Sequence, residues 1–194
     1  SASGEVVSDG PKVGQWQTWV LVSDSEIPVP APPAETSNQT TAELAELRQL
    51  QQQRSPITNT AIQDYHAVPA TQRWHDLAFA LARAEKQSLN RQAYLAAILH
   101  TALHDAVVAT WAAKYQFNRK PLSQLAPDVT PVVPITGVGP SSEVSYPSEH
   151  AAIAGTAVGI LTAFFPKDEA NLKATAAELG QTRLLMGANY RSDI

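Results

Sequence analysis

The 194-residue sequence contains no cysteine. Disulfides, thiolate metal ligands and cysteine nucleophiles are therefore excluded, although this does not fix the compartment. Charged residues are few, at 16%, and the formal net charge is -4. That balance lacks the positive excess a nucleic-acid surface needs, so no nucleic-acid partner is expected. No uninterrupted apolar run reaches the length of a membrane span. The longest, residues 151–165, is broken by Gly155, Thr156, Gly159 and Thr162 and stops at Pro166, so no transmembrane segment is expected. Neither a Gly-rich nucleotide loop nor a serine-hydrolase elbow occurs. The chain begins Ser1, Ala2, Ser3, Gly4, without an initiator Met or a signal peptide. A processed protein exported to the periplasm or outside the cell explains this start, as does trimming. What is present is 44% hydrophobic residues, enough for one globular domain with a sizeable core.

The first 40 residues differ from the rest. Gln15 to Val22 combines aromatic and β-branched residues and is expected to form one short strand. Residues 27–33 are Pro-rich and extended. A lone strand is unstable in water, so residues 1–40 read as an extended arm lying on their own domain or on a partner. Asn38, Gln39 and Thr40 fit a glycosylation acceptor, a pattern too common to carry weight.

Residues 41–194 read as an all-α helical bundle. Thr40 or Thr41 is placed to cap a helix with Leu44, Leu47 and Leu50 on one stripe, ended by Ser55 and Pro56. A short helix over 57–65 follows. Pro69 opens a segment carrying Trp74, Leu77, Phe79, Leu81 and Ala82. The strongest helix runs from about Leu89 to Tyr115, with Tyr94, Ile98, Leu99, Leu103, Val107 and Trp111 at three- and four-residue spacing. Residues 119–147 contain six prolines and form a long loop, a feature usually tied to function. Helices are expected over 150–165 and 168–186, the second turning Leu172, Ala176, Leu179 and Leu184 inward.

Three segments carry convergent anion donors. Tyr146, Pro147, Ser148, Glu149 and His150 start a helix after the Pro-rich loop, so a hydroxyl and free amides face one point. The same residues also suit an ordinary capped helix. Lys114 ends the long helix, with Arg119, Lys120 and Pro121 beyond it. Arg183, Gly187, Asn189 and Asp193 lie near the C-terminus.

Together these segments resemble the three phosphate-site motifs of the vanadium haloperoxidase and phosphatidic-acid phosphatase superfamily, in its bacterial haloperoxidase-like branch. The resemblance covers residues 70–194. It implies that Lys114, Arg119, Ser148, the Glu149 amide and Arg183 hold an oxyanion, and that His150 serves as acid or bonds an apical oxygen. In this family a histidine precedes the motif aspartate by four residues. It attacks phosphorus in the phosphatases and binds vanadium in the haloperoxidases. Here Asn189 occupies that position, with Asp193 matching the aspartate. An amide nitrogen has no available lone pair and its oxygen is a poor nucleophile. The first motif also departs from the pattern. Arg119 follows Lys114 by five residues rather than seven, and Pro121 takes the expected arginine position. Either Arg119 or Lys120 reaches the site by another path, or one cationic contact is lost.

The resemblance implies vanadate as cofactor, or otherwise phosphate, and a small oxyanion or phosphoester as substrate. An active protein would be haloperoxidase-like or a phosphomonoesterase. The alternative is a catalytically inactive binding or structural subunit, held by its arm to a protein partner or to further copies of itself. Family bundles continue past the third motif, so a last helix is expected beyond Ile194, in a longer chain or from a partner. His100 and His104 share a helix face, but no third ligand is identifiable, so no metal is assigned.

Overall fold

The computed structural model describes residues 13–22, 26–133 and 144–194. Its helices are α1 (Asn38–Gln52), α2 (Pro56–Ala67), α3 (Ala70–Ala84), α4 (Leu89–Phe117), α5 (Leu122–Leu125), α6 (Glu149–Phe164) and α7 (Glu169–Met186). Single 3-10 turns cover Pro166–Asp168 and Arg191–Asp193. There is no strand among the described residues. Ten residues of the Pro-rich stretch, 134–143, lie outside them.

Side-chain caps set where the helices start. Ser37 caps α1 and accepts a bond from the Thr40 amide at 3.1 Å, so the helix begins before the expected Thr40 or Thr41 cap. Thr40 instead bonds back to the Ala34 carbonyl at 2.9 Å. Ser55 caps α2, with Pro56 in its first turn, where a missing N–H costs nothing. Ser88 caps α4.

The main core joins α3, α4, α6 and α7 through Trp74, Leu95, Leu99, Leu103, Ile153, Leu161, Phe165, Leu172 and Leu179. Small residues at Ala78, Ala82, Ala154 and Ala157 let the helices approach closely. The buried stripe of α4 keeps Leu99 and Leu103 of the expected one but starts from Leu95 instead of Tyr94. Leu95 and Leu99 face inward, whereas Tyr94 is 60% exposed and lies tilted against Phe164, ring centres 5.8 Å apart. Both stripes have the same four-residue spacing, so periodicity alone cannot fix the phase. The stretch Leu89–Leu125, which includes α4, contains an 18-residue window with a mean hydropathy of 1.3, long and apolar enough to cross a membrane by length and composition. Polar residues scattered through it interrupt every apolar run. A core helix passes the same measure, and the Leu95, Leu99, Leu103 face of α4 is buried in the bundle.

Two smaller clusters close the end of the bundle that matters for function. Leu47, Leu50, Leu122, Val129, Leu184 and Tyr190 form one, and Ile62, Met186 and Ala188 the other. Both pack around the C-terminal end of α7.

The segment Gln15–Val22 forms turns and bends rather than the expected strand. Its donors are taken by a side chain instead. The Asp105 carboxylate on α4 accepts the amides of Trp19 at 2.8 Å, Val20 at 2.8 Å and Leu21 at 3.1 Å. Trp16 stacks on His104, whose Nε2 lies 3.1 Å from the Gln17 carbonyl. Gly14 approaches α4 so closely that a Cβ would lie 2.6 Å from the Ala112 nitrogen.

Burial acts to raise the Asp105 pKa, but the three amide donors and His104 outweigh it and hold the carboxyl below its usual range. A lowered carboxylate contributes stability above its unfolded pKa of about 3.9 and loses it as pH falls through the folded value. The arm is therefore expected to stay docked from neutral pH down to about pH 4 and to loosen only below it. Asp105→Asn should release it at neutral pH, because charge-assisted bonds are worth about 1.5–3 kcal/mol each. Limited proteolysis checks this: equal cleavage of the arm in Asp105→Asn and wild type would refute the clamp.

Candidate oxyanion site at the helix ends

The site is organised by the short segment leading into α6. Lys114, in the last turn of α4, donates from Nζ to the Val144 carbonyl at 2.8 Å. Asn189 donates from Nδ2 to the next carbonyl, Ser145, at 2.9 Å. The Ser148 amide donates to the Asp193 carbonyl at 2.8 Å. Residues from the first and third motifs thus fix the backbone of the second. A cis peptide joins Tyr146 to Pro147 within it.

Ser148 caps α6, its Oγ accepting from the Ala151 amide at 3.4 Å. The first intrahelical bond runs from the Ala152 amide to the Ser148 carbonyl. The Glu149 and His150 amides precede it, at the positive end of the helix dipole. The Glu149 side chain turns to Trp111 and accepts its indole N–H at 2.6 Å.

Arg183 comes from the last turn of α7, which Gly187 terminates at φ 77°. A Cβ at this left-handed position would meet Arg54 Nη2 at 3.0 Å. Arg54 holds the turn, donating to the carbonyls of Leu185 and Thr130 at 2.6 Å each. The chain can then fold back so that Asn189 meets Arg183. Arg183 Nε donates to Asn189 Oδ1 at 3.0 Å, and its Nη1 reaches Met186 Sδ at 3.6 Å.

Asn189 is 3% exposed, and its amide is committed at both ends. The oxygen accepts from Arg183, and the nitrogen donates to Ser145 and, at 3.4 Å, to Asp193 Oδ2. Asp193 also accepts the Tyr190 amide at 2.7 Å. Its other oxygen accepts Arg119 Nη1 at 2.6 Å. Burial pushes the Asp193 carboxyl above its usual range, outweighing Arg119, the Tyr190 amide and Asn189.

Arg119 stands behind Asp193, one residue removed from Asn189. Besides Asp193, it reaches Ser192 Oγ at 2.9 Å, Thr40 Oγ1 at 3.4 Å and Glu43 Oε2 at 3.5 Å. Its guanidinium lies 3.9 Å from the centre of the Tyr190 ring. Lys120 points elsewhere and pairs with Glu35 at the surface. Neither cation of the first motif, apart from Lys114, joins the pocket side of Asn189.

Electrostatics identify which groups lie within reach of one another. Burial holds His150 down to about 3, with the charges of Arg183, His66 and Lys114 adding to the effect. Burial lowers Lys114 to about 8, opposed by Glu149 and Asp193 and assisted by Arg183. Burial lowers Arg183 to about 10, opposed by Glu149 and Asp193. Desolvated cations crowded together are the environment in which an anion is bound most strongly. His150 is neutral at pH 7 in this arrangement, so an anion must arrive before it can hold a second proton.

His66, near the end of α2, is the group that sequence reasoning missed. No motif spacing marks it, because α2 meets the site only through tertiary packing. His100, by contrast, pairs through Nε2 with Nδ1 of His75 on α3 at 2.8 Å, rather than with His104. No cluster of three or more metal-ligating side chains occurs among the described residues.

No family model and no curated protein matches the chain. Among solved structures, that of a bacterial vanadium-dependent iodoperoxidase superposes with a TM-score of 0.78 at 20% sequence identity. The match covers 96% of this chain and 52% of that one, so the chain spans about half the length of the protein it resembles. At this identity the likeness concerns architecture: the chain has the all-helical fold of the vanadium haloperoxidases.

Proposed function

We propose that the chain binds a tetrahedral oxyanion, phosphate or vanadate, between Lys114, Ser148, His150 and Arg183, without forming a covalent bond at residue 189. The observation that carries this reading is the Asn189 amide, tied between Arg183 and Asp193. Its oxygen orients the Arg183 guanidinium through Nε, which leaves Nη2, and Nη1 beyond its weak bond to Met186 Sδ, to hold an anion. Lys114 spends one of its three donors on Val144 and keeps two. The Glu149 and His150 amides add the helix end.

The donor set fits the oxygens of vanadate as well as those of phosphate. It does not fit a bond to vanadium through position 189, since the amide nitrogen has no lone pair to give and already donates both ways. Residue 189 is therefore assigned a positioning role, and no chemical step is routed through the metal.

Calorimetry with inorganic phosphate and with orthovanadate tests the proposal. Wild type is expected to bind both, and Arg183→Ala to bind about 10²-fold more weakly, as two charge-assisted hydrogen bonds are lost. Wild type that binds neither anion, or an Arg183→Ala protein that binds equally well, would overturn it.

A further inference from the structure

Helix α2 brings a histidine to the open side of this pocket. Ile62, its buried residue, packs with Met186 and Ala188 at the end of α7. One turn further on, Tyr65 packs against the main core and feels the charge of Glu178, an earlier residue of α7. The two helices therefore run antiparallel along this contact. His66 lies four residues after Ile62, on the same face, and Arg183 lies three before Met186. This register sets the His66 ring beside Arg183.

We propose that His66 is an anion-contacting residue, forming the outer wall of the oxyanion pocket and donating a hydrogen bond to a bound phosphate-like ligand. The inference rests on the oxyanion reading above and deepens it. Lys114 and Ser148 are buried, but His66 is exposed, so it can close the side from which a ligand enters. Among the described residues its ring has no hydrogen-bond partner, unlike Asn189, whose amide is fully engaged. Two charged or titratable groups face it from other elements: Arg183 of α7 and His150 of α6. Burial, then Arg183, lowers the His66 pKa, so the empty site favours the neutral ring. An arriving dianion reverses the sign of that field, and the ring then takes up a proton and becomes a cationic donor. The ring nitrogen that position 189 lacks is thus replaced by one from a different helix, in a binding role.

Histidine titration by NMR on the full chain, with and without inorganic phosphate, reads this directly. The His66 ring is expected to titrate below the ordinary value of about 6.5 without phosphate and to move upward when it is added. His66→Ala should bind phosphate about 10-fold more weakly near pH 6, with an unchanged melting temperature, since the side chain is exposed. His66→Gln, which keeps an N–H donor but cannot gain charge, should fall between the two. Phosphate binding that is equal in wild type and His66→Ala, with an unmoved His66 titration, would refute this role and leave the oxyanion reading standing. Wild type that binds no phosphate removes both.

Discussion

Arg119→Ala is expected to lower the unfolding free energy by about 3–5 kcal/mol, the range for removing one member of a buried ion cluster. The arginine side chain is 2% exposed, between Asp193 at 0% and Glu43 at 7%. Removing it leaves two buried carboxylates without a cation. Glu43 would keep only bonds from Ser192 at 2.8 Å and Gln39 at 3.2 Å. Asp193, already pushed upward by burial, would take a proton to avoid an uncompensated charge. Urea unfolding measures the effect. Arg119→Met combined with Glu43→Gln and Asp193→Asn should recover much of the loss, because the uncompensated charge disappears with its partners. A loss below about 1 kcal/mol in Arg119→Ala would mean that water reaches the cluster and the burial argument is wrong.

The second large effect concerns Asn189→His. The acceptors that hold the Asn189 nitrogen, the Ser145 carbonyl and Asp193 Oδ2, are those an imidazole N–H requires. A histidine held there has a second ring nitrogen with a lone pair, which asparagine cannot offer. The variant is expected to bind vanadate more tightly and release it more slowly than wild type. It should also raise peroxide-dependent iodide oxidation or phosphomonoester cleavage by roughly 10²-fold or more over a wild type at background. Vanadate exchange followed by vanadium NMR separates binding from turnover. A folded Asn189→His protein with unchanged vanadate exchange and background turnover would show that this position alone does not silence the site. The cost is foreseeable: Arg183 Nε loses the oxygen that now orients it.

The sequence made some of this legible and concealed the rest for physical reasons. Helix existence followed from apolar spacing, and the all-helical fold follows with it. On α4 the spacing rightly picks Leu99 and Leu103 but puts Tyr94 inward where Leu95 is, because the two begin stripes of identical period. The arm read as a strand because Trp16, Trp19, Val20 and Val22 have strand propensity. What decides its backbone is a carboxylate 84 to 86 positions away, whose acceptors stand in for a neighbouring strand. Such pairings leave no local trace. The motif residues Lys114, Ser148, Glu149, His150, Arg183, Asn189 and Asp193 could be named because their order and spacing are local. The partners of Arg119 could not, since Thr40 and Glu43 are 79 and 76 residues from it. The proposed role of His66 left no sequence signal, because its helix carries no motif and packs through Ile62 and Tyr65 on residues distant in the chain.

The separation of these partners has a kinetic side. Glu43 and Ser192 are bonded across 149 positions, and Arg119 joins both neighbourhoods. Closing such loops carries an entropic cost that only the later contacts repay. The turn that holds Asn189 and Asp193 is therefore expected to form late, since its partners Arg119 and Ser145 are distant in sequence. An anion that needs this turn binds the native state and no partly assembled one, so it should raise the melting temperature in proportion to the logarithm of its concentration. An anion held at the proposed site would then report that the Glu43 and Ser192 neighbourhoods have met.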